Sequence, residues 1–270
     1  MKEYNLLNVN TNKIKLINEK KHYYPFVISI PHSGTLLSEA MYNNLIEDVV
    51  LANMDWYLPK LYDFLTNMGF TVIINQVSRY MIDVNRSLED KTSDSLYNKN
   101  LIYKKTTFNK KIYKRNLSFD EIQKRIKNYY IPYHEGIEKL LKEKLQYFDK
   151  VYLLDLHSFG QNIGADIVLG NNYGKTTSKD FFELIKNNLE KCDFIVNDNK
   201  PYRGGFITRS YSKKYNNCET LQIELWYATY IDNREFEEEY KPNINENIFY
   251  NTQNRMINFF EKLRNINFDF

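Results

Sequence analysis

Residues 151–160 read VYLLDLHSFG. Five of its first six residues are apolar or aromatic, with Asp149-Lys150 before the run and Gly160 after it. That pattern predicts a buried strand over 151–156, in a sheet covered on both faces. A buried strand running into Asp155, His157 and Ser158 must give those groups partners, because unpaired polar groups are costly there. In open α/β sheets the carboxyl ends of strands are where ligands collect. Two other apolar runs have the same character. Phe26–Ile30 leads into Pro31-His32-Ser33-Gly34, and Thr220–Leu225 carries Glu224 inside it. Two imidazoles and a carboxylate on three buried strands point to one shared site.

Working outward, Pro31 ends the first of these strands because proline cannot donate to the ladder. Thr71–Asn75 predicts another strand, and Lys13–Tyr24 reads as a polar hairpin or loop. Ser38–Val50 predicts a helix. A second, Asp55–Met68, aligns Leu58, Leu61, Tyr62 and Leu65 on one face, with Gly69 placed to stop it. Residues 88–118 form an irregular excursion of the length that is usually functional or mobile, and a lid is one reading of it. Helical spacing runs from Phe119 to Tyr147, where Pro132 predicts a kink or break. Then follow a short strand at Asp166–Leu169, a helix at Thr177–Leu189 and a strand at Phe194–Val196. Pro201–Thr208 reads as a Gly-rich turn entering an extended segment, and Phe249, Thr252, Met256, Phe259 and Leu263 define a closing amphipathic helix. Alternating strands and helices predict an α/β sandwich. With neither repeat nor linker, residues 1–270 read as a single domain.

Bulk properties narrow the function. Lys and Arg total 37 against 34 Asp and Glu, a near balance that gives no reason to invoke nucleic acid. Cys192 and Cys218 make neither a disulfide framework nor a metal-binding spacing, so a reducing compartment is expected. The opening MKEYNLLNVN lacks the apolar core of a signal peptide. No apolar run approaches the roughly 18 residues of a membrane span. A soluble, cytoplasmic protein is expected, with its oligomeric state open.

His32 and His157 each sit at a strand end, and Gly34 allows a backbone to approach a ligand closely. Asp155, two residues before His157 on the same strand face, is either an orienting partner for a ligand histidine or a satisfied core carboxylate. His22 reads as exposed, and His134 reads as a packing or hydrogen-bonding group rather than a ligand. Glu224, inside LQIELW, is either paired with a buried arginine or engaged in chemistry. Asp55 is either a helix cap or the oxygen donor of a two-histidine, one-carboxylate metal site that keeps a position open for water. Arg79, Arg86, Arg203 and Arg209 follow strands or Gly-rich turns. Asn85-Arg86 offers an amide and a planar guanidinium fork that together suit a carboxylate. RGGFITR sets two arginines around a turn able to wrap a small anion.

Taken together and in order, PHSG (31–34), MDWYLPKLYDF (54–64), SRYMIDVNR (78–86), TTF (106–108), YYIPYH (129–134), DLHS (155–158), RGGFITRSY (203–211), LQIEL (221–225) and TYID (229–232) resemble the N-formylglutamate amidohydrolase family. The resemblance spans about residues 25–235. It implies a zinc carboxypeptidase-like fold: a three-layer α/β/α sandwich with a mixed, largely parallel sheet. It further implies one zinc ion, or another divalent metal, on His32 and His157. Thr35 stands where the carboxypeptidases have their acidic ligand, so Asp55 is the expected third ligand and Asp83 its competitor. Water activated by the metal would be the nucleophile and Glu224 the general base. Arg79 would help to stabilise the oxyanion, and Asn85, Arg86, Arg203 and Arg209 would bind a small dicarboxylate substrate. Ser210 stands where the family often has histidine, and Arg203 where it often has lysine. The implied reaction is hydrolysis of N-formyl-L-glutamate to formate and glutamate, a step of histidine degradation. Alternatives are hydrolysis of other N-acyl amino acids or small peptides, and a non-catalytic amino-acid-binding relative.

Overall fold

A computed structural model describes residues 4–8, 10–89, 100–232 and 241–266. Its strands are β1 (Ile14–Ile17), β2 (Phe26–Ile30), β3 (Thr71–Asn75), β4 (Val151–Phe159), β5 (Ile167–Gly170), β6 (Val196–Asp198) and β7 (Cys218–Trp226). They form one sheet in the order β1-β3-β2-β4-β7-β5-β6. Four neighbouring pairs are parallel, while β1–β3 and β5–β7 are antiparallel. The sheet is therefore mixed and largely parallel, as expected.

β4 lies at the centre and runs longer than its apolar core, with all nine residues buried. Asp155, His157 and Ser158 are inside the strand rather than beyond it. Alternation sends successive side chains to opposite faces. Tyr152, Leu154 and Leu156 join a core with α6 (Lys179–Glu190) and α8 (Glu246–Arg264). Val151 and Leu153 join a second core with α5 (Ile131–Lys144) and α7 (Phe206–Lys214). Burying each such aliphatic side chain contributes roughly 1.5–3 kcal/mol, so both faces hold the sheet in place. Along the second face the strands change character: Val151 and Leu153 give way to Asp155 and His157, and Cys218 and Thr220 to Gln222 and Glu224. The apolar half anchors helices, and the polar half is left for chemistry.

Several expectations are corrected. The lead-in is edge strand β1, paired along β3 instead of folded into a hairpin. The helix expected over 38–50 is only Glu39–Asn44, capped by the Ser38 side chain. The helix expected over 55–68 is two short turns, Leu58–Leu61 and Leu65–Met68. The first has Tyr57, which makes no side-chain capping bond, at its N-cap position instead of Asp55, and the second ends at left-handed Gly69. At Pro132 the chain widens into a π-turn, Ile126–Tyr130, between Phe119–Arg125 and α5. The wider turn accommodates the missing N–H and bulky ring of the proline, so the helical segment continues past it without ending. The strand expected over 194–196 is β6, which begins at Val196 and runs to Asp198. Residues 206–208 are helical, not extended: they open α7. His22 is half-buried and stacks on Tyr147 with ring centroids 4.1 Å apart. Of the 88–118 excursion, residues 90–99 lie outside the described residues, and 100–118 contribute isolated bridges, including Leu45 to Tyr113. Among the described residues, no helix is long and apolar enough to cross a membrane.

Candidate active site

The site is assembled by loops that hold one another at the carboxyl ends of the central strands. His32 follows β2, and its carbonyl accepts a hydrogen bond from the Asp55 N–H at 3.3 Å. Ser33 Oγ donates to the Asp55 carbonyl at 2.6 Å. Asp55 is thus delivered beside His32 by backbone contacts, not by helix capping. Gly34 serves the same assembly: a Cβ there would stand 2.3 Å from the Gln76 carbonyl carbon. Its role is close packing of two loops, not the approach to a ligand inferred from the sequence.

His32, Asp55 and His157 converge. Their ligand atoms lie within 4.8 Å of one another, and all three residues are buried. Asp55 Oδ2 is 2.9 Å from His157 Nδ1 and 3.8 Å from His32 Nδ1. Each histidine has a carboxylate on its other nitrogen: Asp83 Oδ1 is 2.6 Å from His32 Nε2, and Asp155 Oδ2 is 2.8 Å from His157 Nε2. Such outer carboxylates fix ring orientation and tautomer and leave the inner nitrogen for a metal. Two imidazoles and one carboxylate oxygen, oriented from behind, are a donor set that fits a zinc-type cation. Asp83 therefore stands behind His32, while Asp55 completes the inner cluster.

The orienting groups are themselves held. Asp155 accepts from Ser29 Oγ at 2.7 Å, which in turn lies 2.9 Å from the Tyr133 hydroxyl. Asp83 accepts from the Asn85 N–H at 2.8 Å, from Arg79 at 3.1 Å and from the Tyr103 hydroxyl. Tyr103, from the 88–118 excursion, had no sequence signal; it reaches the site only through tertiary packing.

Charge follows from burial and neighbours. Burial alone would raise the Asp83 carboxyl, but His32, Arg86 and Arg79 hold it well below its ordinary value. Burial likewise opposes ionisation of Asp55, and the hydrogen bond and charge of His157, with His32 and Arg79, outweigh it and lower its pKa. Burial, with Arg79, lowers the His32 imidazole despite Asp83. His157 is also opposed by burial, yet Asp155 and Asp55 raise it well above the ordinary range. Any metal at His157 must therefore displace a proton.

Glu224 is the direct cross-strand neighbour of His157 in the β4–β7 register. Burial pushes its carboxyl up to about 7, with Asp55 and Asp155 adding and His157 and Arg79 opposing. A base poised near neutrality is what proton transfer at ordinary pH requires. Gln222, two residues earlier on the same face, donates to Glu224 Oε1 at 2.8 Å and accepts from the Gly205 N–H at 2.7 Å. Period-two spacing from Glu224 was the signal that would have found it.

The remaining predicted residues are placed as follows. Arg79 is buried, its NH2 3.1 Å from the Tyr103 hydroxyl and its NH1 3.7 Å from Asp55. Asn85 has both ends of its amide engaged, Nδ2 3.1 Å from His157 Nε2 and Oδ1 accepting from the Ile207 N–H at 2.8 Å. This second contact starts α7, which explains why a helix replaces the expected extended segment. Arg86 is half-buried, 3.9 Å from Asp83. Arg209 donates to the Gly204 carbonyl from α7, and Arg203 is exposed on the preceding turn.

His134 bridges from α5, its Nε2 2.9 Å from the Val84 carbonyl and its Nδ1 2.8 Å from the Tyr211 hydroxyl. Burial lowers its pKa from 6.5 to about 4, so folding favours the neutral ring. A depressed histidine contributes stability above its unfolded pKa and loses it as pH falls from 6.5 towards about 4. Urea unfolding across that interval should show the parent losing more stability than His134→Gln, by up to about 1.4 kcal/mol per pH unit. Equal slopes for the two proteins would contradict this.

The model of the N-formylglutamate amidohydrolase family matches residues 24–231. N-formylglutamate deformylase of Pseudomonas aeruginosa is 29% identical over 232 residues, 81% of this chain and 86% of that protein. Its counterpart from Pseudomonas putida is 29% identical over 233 residues, 82% and 87% of the two chains. In fold, the chain is similar to the crystal structure of N-formylglutamate amidohydrolase from Ralstonia eutropha JMP134. The TM-score is 0.81 at 24% identity, covering 93% of this chain and 97% of that one. A gene product of Agrobacterium tumefaciens is also similar, with TM-score 0.69 at 17% identity and coverage of 93% and 91%. With the family model matched over most of its length, the chain belongs to the N-formylglutamate amidohydrolase family.

Proposed function

We propose that this protein hydrolyses N-formyl-L-glutamate to formate and L-glutamate, using one zinc ion held by His32, Asp55 and His157. The observation that carries this reading is the convergence of those three side chains beside Glu224, a buried carboxyl raised to about 7. When bound, such an ion supplies Lewis acidity and lowers the pKa of water towards ~7. The rest falls to the chain's own groups. Glu224 takes a proton from the attacking water as oxygen bonds to the formyl carbon. It then gives that proton to the leaving nitrogen as the C–N bond breaks, so the carboxylate is regenerated. Arg79 places positive charge beside Asp55, where the developing oxyanion is stabilised. Arg86, Arg203 and Arg209 are assigned to the two substrate carboxylates, with Asn85 holding the segment that presents Arg86.

A substrate panel tests the assignment. N-formyl-L-glutamate should be cleaved faster than N-acetyl-L-glutamate by about 10–200-fold, the range one methyl-sized change commands in a fitted pocket. N-formyl-L-alanine, which lacks the side-chain carboxylate, should show a raised KM. Cleavage of dipeptides faster than deformylation would instead make the protein a small-peptide hydrolase.

A further inference from the structure

The proposed hydrolysis engages charged groups, and it leaves unused a neutral hydroxyl beside them. Tyr202 lies in the turn before α7. That turn is pinned on both sides: the Gly205 N–H donates to Gln222 at 2.7 Å, and the Asn172 N–H donates to the Arg203 carbonyl at 2.7 Å. Gly170, at the end of β5, is pressed so closely on the turn that a Cβ would stand 2.8 Å from the Tyr202 carbonyl oxygen. The Tyr202 ring rests on Phe159 with centroids 5.2 Å apart. Phe159 continues the Asp155–His157 line along one face of β4.

From that position the phenol oxygen interacts electrostatically with Glu224 and Asp55. These are the assigned base and a metal-ligand candidate, and the packing of the ring on Phe159 sets Tyr202 on the same face of the sheet as His157 and its cross-strand neighbour Glu224. Among the described residues, the hydroxyl has no hydrogen-bond partner. Burial, together with the two carboxylates, raises its pKa, so the group keeps its proton and is available as a donor. Two acidic neighbours make this a poor berth for a substrate carboxylate. They make it a good one for a donor aimed at a carbonyl oxygen.

We infer that Tyr202 is a further catalytic residue, whose hydroxyl hydrogen-bonds the formyl oxygen as that oxygen gains negative charge. The O–H bond is retained throughout, and no proton leaves the tyrosine. The inference rests on the proposed amide hydrolysis. A donor that strengthens its bond in the transition state lowers the barrier without tightening substrate binding.

Tyr202→Phe removes only this oxygen and breaks no hydrogen bond seen in the fold. The expected result is a fall in kcat of about 10²-fold, the lower end of what one oxyanion donor contributes. KM, zinc content and calorimetric affinity for L-glutamate should stay within about twofold of the parent and the melting temperature should not change, because none of them involves the tetrahedral oxyanion. A kcat within twofold of the parent, or a loss confined to KM, would overturn the assignment. A variant that lost its metal or its fold would trace the effect to structure and overturn it equally. Failure of the parent itself to release formate would overturn the hydrolytic reading. An active parent with an equally active Tyr202→Phe would overturn only the role of Tyr202.

Discussion

Glu224→Gln is expected to lower kcat for N-formyl-L-glutamate by about 10²–10⁴-fold, the contribution of a positioned general base. The substitution is nearly isosteric, and Glu224 lies outside the His32–Asp55–His157 cluster, so metal content should match the parent. An amide can still accept from Gln222 through its oxygen, so β7 and the turn before α7 need not move. What is lost is the ability to hold a proton. The parent's pH profile should carry the same signature. The base works only when ionised, and its folded pKa is raised to about 7, so kcat/KM must fall as pH drops through that region. A bound cation would shift the limb to lower pH by favouring the carboxylate. Glu224→Gln should remove the limb. Near-parental turnover in the variant would end the base assignment.

The second large effect is expected at His157. His157→Ala removes an inner nitrogen and the positive partner that Asp155 and Asp55 share. Breaking a buried ion pair by deleting one partner typically costs about 3–5 kcal/mol, because the remaining charge is left uncompensated. Urea unfolding of the metal-free proteins should show a loss of that order. Calorimetric zinc titration should show no stoichiometric binding, and formate release should fall to background. A variant that still bound one ion tightly would show that the metal sits elsewhere.

Much of the candidate site was legible in the sequence because its two histidines and Glu224 lie where apolar strand patterns turn polar. The runs into His32 and His157, and the carboxylate within LQIELW, were visible as polar groups on apolar strands. Neighbouring parallel strands place such ends together. The register that puts Glu224 beside His157 follows from β4 and β7 pairing over their whole length. What remained hidden depends on contacts between distant segments. Asp55 reads by position as either a helix cap or a third ligand, and it is backbone bonds to the His32 loop, which no local pattern reveals, that turn it inward. The start of α7 lacks a capping side chain of its own. Its N–H groups are met by Asn85 and Gln222, 122 and 17 residues away in the chain, so local propensity could not reveal the helix. Tyr103 reaches Asp83 from a segment without regular structure, and no periodicity marks it. Asn85 shows the converse difficulty. Its pairing with Arg86 suggested a ligand contact, whereas its amide fastens one histidine to one helix.

In the proposed mechanism, formate release depends on a single cation held by His32, Asp55 and His157. Zinc titration of the metal-free protein, followed by calorimetry and by formate production in the same samples, tests it most directly. The expected result is one ion bound per chain, with hydrolysis rising in proportion to occupancy and saturating at one equivalent. Full-rate formate release from protein stripped of metal, or unchanged binding after both histidines are replaced, would contradict it.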